Sequence, residues 1–228
     1  MWQNEQRYFP YYQRNCSNFA CLNPYCQCGE ICQCNHSQQC HDGWGNTPHD
    51  KKQKVSLKSS MRLVWEQHVY WTRMTIISMV FGLPDVDSTT NRLLQNANDM
   101  GNLLKPFYGN KIAAMYSNLI REHLIIAAEL VKAAKVGNQK DVAALERKWY
   151  ENGKDVAEFL SRINPFISRD EFQKMWFEHL ALTKQEAVFM LQQDFESSIA
   201  VFDKIEQQAL EMADTITTGI AKQFVPLL

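Results

Sequence analysis

A chain of 228 residues is long enough to form one well-buried domain with a tail. Its formal net charge of −1 gives no electrostatic reason to bind nucleic acid or an anionic membrane, so we expect neither partner. No run approaches the roughly 18 to 20 apolar residues of a membrane span, and the first eight residues lack a basic start followed by an apolar stretch. We therefore expect no membrane anchor and no secretory signal, and a cytoplasmic protein.

Residues 1–55 are predicted to form a flexible, disordered tail. They are rich in Asn, Gln, Cys and Tyr and poor in aliphatic side chains. Such a segment buries too little apolar area to offset the entropy lost on ordering. From residue 56 the pattern becomes helical, which predicts a second region, 56–228, that folds as a helical bundle.

The tail holds every cysteine of the chain, two of them in each of two Cys-x-Cys doublets. An odd number of cysteines in a chain without an export signal favours metal binding or cross-linking over a secreted disulfide scaffold. Closely spaced thiolates can wrap a soft cation. They can equally form intermolecular disulfides, which suits self-association or coat-like protein partners. Both alternatives use the same candidate residues: Cys16, Cys21, Cys26, Cys28, Cys32, Cys34 and Cys40, with His36 and His41 beside them.

Glycine and proline divide the rest of the chain into helical segments. Gly82 and Pro84 end the first, Pro106 and Gly109 the second, and Gly137 the third. Apolar residues recur at three- and four-residue steps between these breaks, and no strand-like alternation is present. The predicted helices are about 59–81, 88–104, 111–136, 139–163, 168–193 and 196–224.

These segments predict an all-α fold. Ser168 and Glu171 form a capping box at the start of the fifth segment. Because the loops are short, neighbouring helices are expected to pack antiparallel. The prediction is an up-down bundle of four to five long helices.

A motif with one histidine repeats along these helices. Trp-x-x-His-(Val/Leu)-x-x-Thr-(Arg/Lys) occurs at 65–73 and 176–184, and a degenerate copy occupies 120–128. A fainter copy at 149–152 has an asparagine in place of the histidine. Each copy is on a different predicted helix, so several helices are expected to carry one polar residue into a shared interior.

The rise of about 1.5 Å per residue places these residues at similar depths in an up-down bundle. His68, His123 and His179 each share a stripe with apolar residues, and Asp203 and Glu206 on the last helix reach the same level to about one turn. Imidazoles and carboxylates are the usual ligands of zinc, iron or manganese. The pattern therefore predicts a divalent-metal site at mid-bundle, although the Glu-x-x-His pairs of di-iron bundles are absent.

Two other interpretations of the histidines stay open. In the first, each ring is a buried polar group hydrogen-bonded to a neighbouring helix, with the threonine four residues on or a glutamate satisfying it. In the second, one ring acts as an acid or base. Near this layer, Arg73 and Lys184 with Glu186 and Glu129 either line a pocket for an anion or are solvated or salt-bridged residues at the flank of the helices. No residue is assigned a catalytic role.

Three stretches, 65–78, 122–135 and 178–187, resemble a group of helical proteins from spore-forming bacteria. The resemblance covers 61–224 and excludes the tail. It implies a helical bundle associated with spores. Members of the group are often labelled acetylglutamate kinase, but amino-acid kinases are α/β proteins with glycine-rich phosphate loops. With nine glycines and no such loop, kinase activity is not expected.

Three functions follow as hypotheses. The first is a non-enzymatic bundle with a metal-binding or cross-linking cysteine tail, acting in the spore or in stress. The second is a metal- or cofactor-dependent bundle with its site at the histidines. The third is a structural or adaptor bundle that binds another protein.

Overall fold

The computed structural model describes residues 48–224, with side chains described for 56–224. Within this range the protein is all-α, as predicted, and contains no strand. No helix in it is long and apolar enough to cross a membrane. The predicted tail lies outside the described range up to residue 47. The helices are α1 (Pro48–Phe81), α2 (Val86–Lys135), α3 (Gln139–Ile163), α4 (Arg169–Leu191) and α5 (Phe195–Gln223).

Several helix ends follow the predicted signals. Gly82 and Gly137 adopt φ values of 64° and 71°, the left-handed conformation that glycine takes without steric cost. Ser168 caps α4 by accepting a hydrogen bond from the backbone N–H of Glu171 at 3.4 Å. The start of α1 differs from the prediction, because this helix begins at Pro48. Proline is tolerated there, since the first helical turn needs no intrahelical N–H bond.

The helix α2 consists of two arms, 86–108 and 110–135, separated by Gly109. That glycine has a non-helical conformation, with φ 77° and ψ 173°. The chain turns at Gly109, and the two arms lie against each other. They are in close contact at Gly101, where an added Cβ would lie 2.7 Å from the carbonyl oxygen of Ala113. The arms correspond to the predicted helices 88–104 and 111–136. Pro106 does not end the first arm, which continues to the glycine.

Each helix packs against the next in the chain, and α1 packs against α5, which closes the bundle. Polar contacts between α1 and α5 occur in opposite order along the two helices, so this pair is antiparallel. From the start of α1 the contacts are Arg62 to Asp214 at 2.8 Å, Tyr70 to Glu206 at 3.0 Å and Arg73 to Ser198 at 3.1 Å.

Candidate metal centre

Three histidines from three helical segments meet inside the bundle. His68 on α1, His123 on the second arm of α2 and His179 on α4 are each at most 2% exposed. One ring nitrogen from each lies within 4.8 Å of the others. The ring centroid of His68 is 6.3 Å from that of His123 and 5.7 Å from that of His179. The predicted convergence of the three histidines is confirmed, and we call this group the histidine triad.

Each ring of the triad is held by a side-chain amide from the neighbouring helix. In all three cases Nδ1 lies 3.1 Å from the amide oxygen. The amide nitrogen donates to the backbone carbonyl four residues before the histidine, at 2.8–3.1 Å. Both ends of each amide are therefore fixed by the helix that carries the histidine. The pairs are His68 with Asn96, His123 with Asn152, and His179 with Gln208.

This arrangement determines which ring nitrogen carries the proton. Because the amide N–H₂ is bonded to a backbone carbonyl, the amide oxygen must face the ring. An amide oxygen only accepts hydrogen bonds, so Nδ1 of the histidine must be the donor. The neutral imidazole then has its lone pair on Nε2. Each of the three rings thus keeps one unprotonated nitrogen, which is the form that binds metal.

The histidine–amide pairs belong to an internal threefold repeat. Each amide follows its histidine by 28 or 29 residues, and the histidines recur after 55 and 56 residues. The residue after each amide is small and buried: Ala97, Gly153 and Ala209. Each repeat is one helical hairpin, formed by α1 with the first arm of α2, by the second arm with α3, and by α4 with α5. Sequence reasoning recognised the histidines and missed the amides as their partners, although this constant offset would have identified them.

Large side chains close one end of the triad. The residues three positions before the histidines, Trp65, Ile120 and Trp176, are fully buried. Trp176 contacts two of the rings, with its centroid 4.8 Å from His123 and 5.8 Å from His179. Because helical side chains lean toward the N-terminus, these residues form a floor beneath the rings.

Burial keeps the triad uncharged. Loss of solvation lowers the pKa of His68 to about 4 and that of His179 to about 3, and the hydrogen bond from the ring to its amide opposes the change in each. The pKa of His123 is also well below its ordinary value, through burial first and then through the other two rings. At neutral pH no proton competes with a metal ion for Nε2.

We predict that acid destabilises the native protein through these rings. An unfolded histidine titrates near pH 6.5, whereas His68 in the fold does so near 4. Above pH 6.5 both states are neutral and stability is unaffected. Between pH 6.5 and 4 the unfolded chain binds a proton that the native ring refuses, so His68 alone lowers the free energy of unfolding by about 3 kcal/mol. Urea unfolding of metal-free protein from pH 7.5 to 4.5 measures it.

The control for this prediction is the His68→Gln variant, measured in parallel. Subtracting the free energy of unfolding of this variant from that of the wild type cancels the contribution of Glu186, which has the opposite sign. Burial raises the pKa of Glu186 to about 7. That carboxyl group takes up a proton in the native state, so it adds stability as the pH falls. We expect the wild type to lose stability relative to His68→Gln below pH 6.5. Parallel profiles would mean that the ring reaches water in the native state.

The predicted carboxylate ligands are not part of the triad. Asp203 is exposed, and Glu206 accepts a hydrogen bond from Tyr70 at 3.0 Å at the surface between α1 and α5. Depth along the axis was right for α5, but the buried face of that helix carries Ile205 and Gln208 instead. The predicted threonine partners also differ. Hydroxyls four residues after His68 and His179 donate to the backbone carbonyls of those histidines and not to the rings.

The charged residues near this layer form ion pairs. Arg73 donates to the buried carboxylate of Glu186 at 2.5 Å and to the hydroxyl of Ser198 at 3.1 Å. Lys184 pairs with Glu146 at 2.6 Å near the surface. Arg73, Glu186 and Lys184 are therefore salt-bridged, whereas Glu129 is exposed on α2. The described residues show no cluster of unpaired cations facing the triad.

An apolar cavity of about 90 Å³ lies on the side of the triad opposite the floor, and all three histidines line it. The next turns of the same helices form its walls, with small side chains such as Ala127, Ala128 and Ala187 leaving the space. Lys184 and Val188, both exposed, also border it. The triad is therefore blocked on one side and open to a cavity on the other.

The proposed ligands of the cysteine tail, including His36 and His41, lie outside the described residues. Comparisons with protein-family models, curated proteins and solved structures found no match to this chain. The geometry of the triad is consequently the basis for assigning a function.

Proposed function

We propose that the protein binds one divalent transition-metal ion through Nε2 of His68, His123 and His179. The observation that carries this proposal is the set of three amides, each of which holds Nδ1 of its ring and so leaves the lone pair on Nε2, in three rings that approach one another to within 4.8 Å between ligand nitrogens. Metal-binding histidines characteristically donate the second ring N–H to such a partner. A buried hydrogen-bonded layer alone would not need three unprotonated imidazoles so close together.

The donor set favours zinc or iron among the candidate metals. Three neutral imidazoles suit zinc, iron, copper and nickel, whereas manganese prefers oxygen ligands, and no described carboxylate joins the triad. Bonds of about 2.0 Å place tetrahedral ligand nitrogens roughly 3.3 Å apart. The rings therefore need to close inward by about an ångström from their separation of up to 4.8 Å.

Three protein ligands leave one coordination position of a tetrahedral ion free. Structural zinc sites are closed by four protein ligands, whereas sites that bind a further molecule keep one position open. The cavity above the triad gives that position room. We therefore propose a metal-dependent bundle whose ion remains accessible to a small ligand, and not a metal site that only stabilises the fold.

A direct test uses a chain in which the tail has no ligands. In this tail-silent chain the seven cysteines are replaced by serine, and His36, His41 and His49 by asparagine, at full length. We expect it to bind one equivalent of Co²⁺ with the intense visible absorption of a tetrahedral site. If the wild type binds metal and the tail-silent chain binds none, the ion belongs to the tail and the proposal is wrong.

The amides provide a second prediction with a matched control. Gln208→Ala in the tail-silent chain removes the partner of His179, and we expect metal affinity to fall 10- to 100-fold. Gln207→Ala changes the adjacent, exposed glutamine, whose side chain donates to Glu211, and should leave affinity unchanged. Competition with a chromophoric chelator measures both. Equal affinities in the two variants would show that the amide does not orient a ligand.

The cysteine array stays a separate proposal, based on its spacing. Thiolate ligands would bind softer ions than the triad does, and disulfides would link copies of the chain. Zinc titration of the wild type beside the tail-silent chain tests it. Equal stoichiometry in the two would remove the metal-binding version.

A further inference from the structure

The cavity above the triad contains polar groups that the fold itself does not use. The indole N–H of Trp149 and the hydroxyl of Thr75 are buried, and neither has a hydrogen-bond partner among the described residues. Both side chains line the cavity and are at most 3% exposed. Buried donors are normally satisfied. The indoles of Trp65 and Trp176 are also buried without a partner among the described residues, but they do not line the cavity. Trp149 and Thr75 are the two unpartnered donors that a guest in the cavity could satisfy.

Trp149 is placed to reach a molecule bound at the metal. Its ring stacks on His123 with centroids 5.3 Å apart and planes inclined by 26°. Thr75 is seven residues beyond His68, about 10 Å farther along α1. Because Thr72 and Thr183 donate to backbone carbonyls, their hydroxyl protons are not available to a ligand. Of the two unpartnered donors in the cavity wall, the indole of Trp149 is therefore the one whose side chain contacts the triad.

The dimensions of the cavity restrict the guest. An apolar cavity of about 150 Å³ in another protein takes benzene, and this one measures about 90 Å³. A guest of two or three heavy atoms fits, and one with a ring has less room than in that other cavity. The lining is apolar apart from the triad, a few threonines, Lys184 at the edge and the two orphan donors, which favours an uncharged molecule.

We propose that this cavity binds a small uncharged molecule of two or three heavy atoms, which occupies the open coordination position of the metal and accepts a hydrogen bond from Trp149. Molecules of the dioxygen and nitric oxide type have this size and a terminal acceptor atom. The inference rests on the proposed function, since the ligand binds the ion that the triad holds.

The test uses nitric oxide and the Fe²⁺-loaded tail-silent chain, without oxygen. Iron content is measured first. A chain that retains no iron lacks the proposed metal site, and this result would overturn both proposals. With iron bound, we expect one nitric oxide per iron and the electron paramagnetic resonance signal of a high-spin iron nitrosyl. Nitrosobenzene, which carries the same N–O group on a phenyl ring, should not bind. Iron without a nitrosyl signal, or equal binding of nitrosobenzene, would overturn this inference alone.

Two substitutions locate the guest. Ala127→Leu fills the cavity one turn beyond His123 and should slow nitric oxide binding at least 10-fold with iron content retained. Ala143→Leu, the same change at an exposed position of α3, is the control and should have no effect.

Trp149→Phe removes the indole donor, and we expect dissociation of nitric oxide to become roughly 5- to 10-fold faster, with a shifted N–O stretching frequency. An unchanged rate in Ala127→Leu, or an unchanged frequency in Trp149→Phe, would contradict the proposed position.

Discussion

In the tail-silent chain, replacing His179 by glutamine is expected to lower metal affinity more than 100-fold while leaving the bundle folded. Loss of an outer partner already costs 10- to 100-fold, and this change removes a ligand itself. Glutamine keeps a polar group beside Gln208, whose amide otherwise loses its partner on the ring. Isothermal titration with Zn²⁺ measures the affinity, and circular dichroism measures the helix content.

The matched control is Thr183→Val, one turn further along α4. Its hydroxyl bonds to the carbonyl of His179 and also lines the cavity, but it is not a proposed ligand. Affinity in this variant should stay within a few-fold of the parent. The internal repeat adds a further requirement, because His68→Gln and His123→Gln should match His179→Gln. A variant that binds one equivalent at the parent affinity would place the ion elsewhere.

Replacing Trp176 by alanine should cause the largest loss of stability, about 3–5 kcal/mol. Its side chain is fully buried and lies against Trp65, with centroids 6.0 Å apart, as well as against two rings of the triad. Alanine leaves a void at the centre of the bundle, where three hairpins meet and little can collapse to fill it. Urea unfolding of metal-free protein at pH 7.5 measures the change.

Trp71→Ala is the comparison for this prediction. Trp71 is only partly buried and stacks against the guanidinium of Arg92 at 5.3 Å. Its loss should cost roughly 1–2 kcal/mol, from partial burial and the cation–π contact. If the two substitutions lower the free energy of unfolding equally, Trp176 does not form the tightly packed floor that the structure indicates.

Local signals in the sequence were sufficient for most of the helix ends. Gly82, Gly137 and the Ser168 cap act within a few residues, so their effect does not depend on the rest of the fold. Gly109 also separates two helices as predicted. What could not be read locally is that the arms it joins lie against each other, because that contact depends on Gly101 approaching Ala113 across the hairpin.

The site was predictable only in part, and the reason is geometric. Apolar stripes placed the three histidines inside, and equal heights brought them together. Height leaves the rotation of a helix about its own axis undetermined, so Asp203 and Glu206 matched in depth while facing away. On α5, Gln208 shares the buried stripe with Ile205 and thus reaches His179. The amides bind across hairpins, so a pattern taken one helix at a time does not contain them. Comparing the offsets of 28 and 29 residues between the repeats would have been needed to find them.

The most direct measurement is zinc K-edge X-ray absorption on the tail-silent chain loaded with one equivalent of Zn²⁺. We predict three imidazole nitrogens at about 2.0 Å with the outer-shell scattering of their rings, and one additional light atom at the open position. Failure to retain zinc, or a first shell with fewer than three imidazoles, would contradict the assignment of the triad as the metal site.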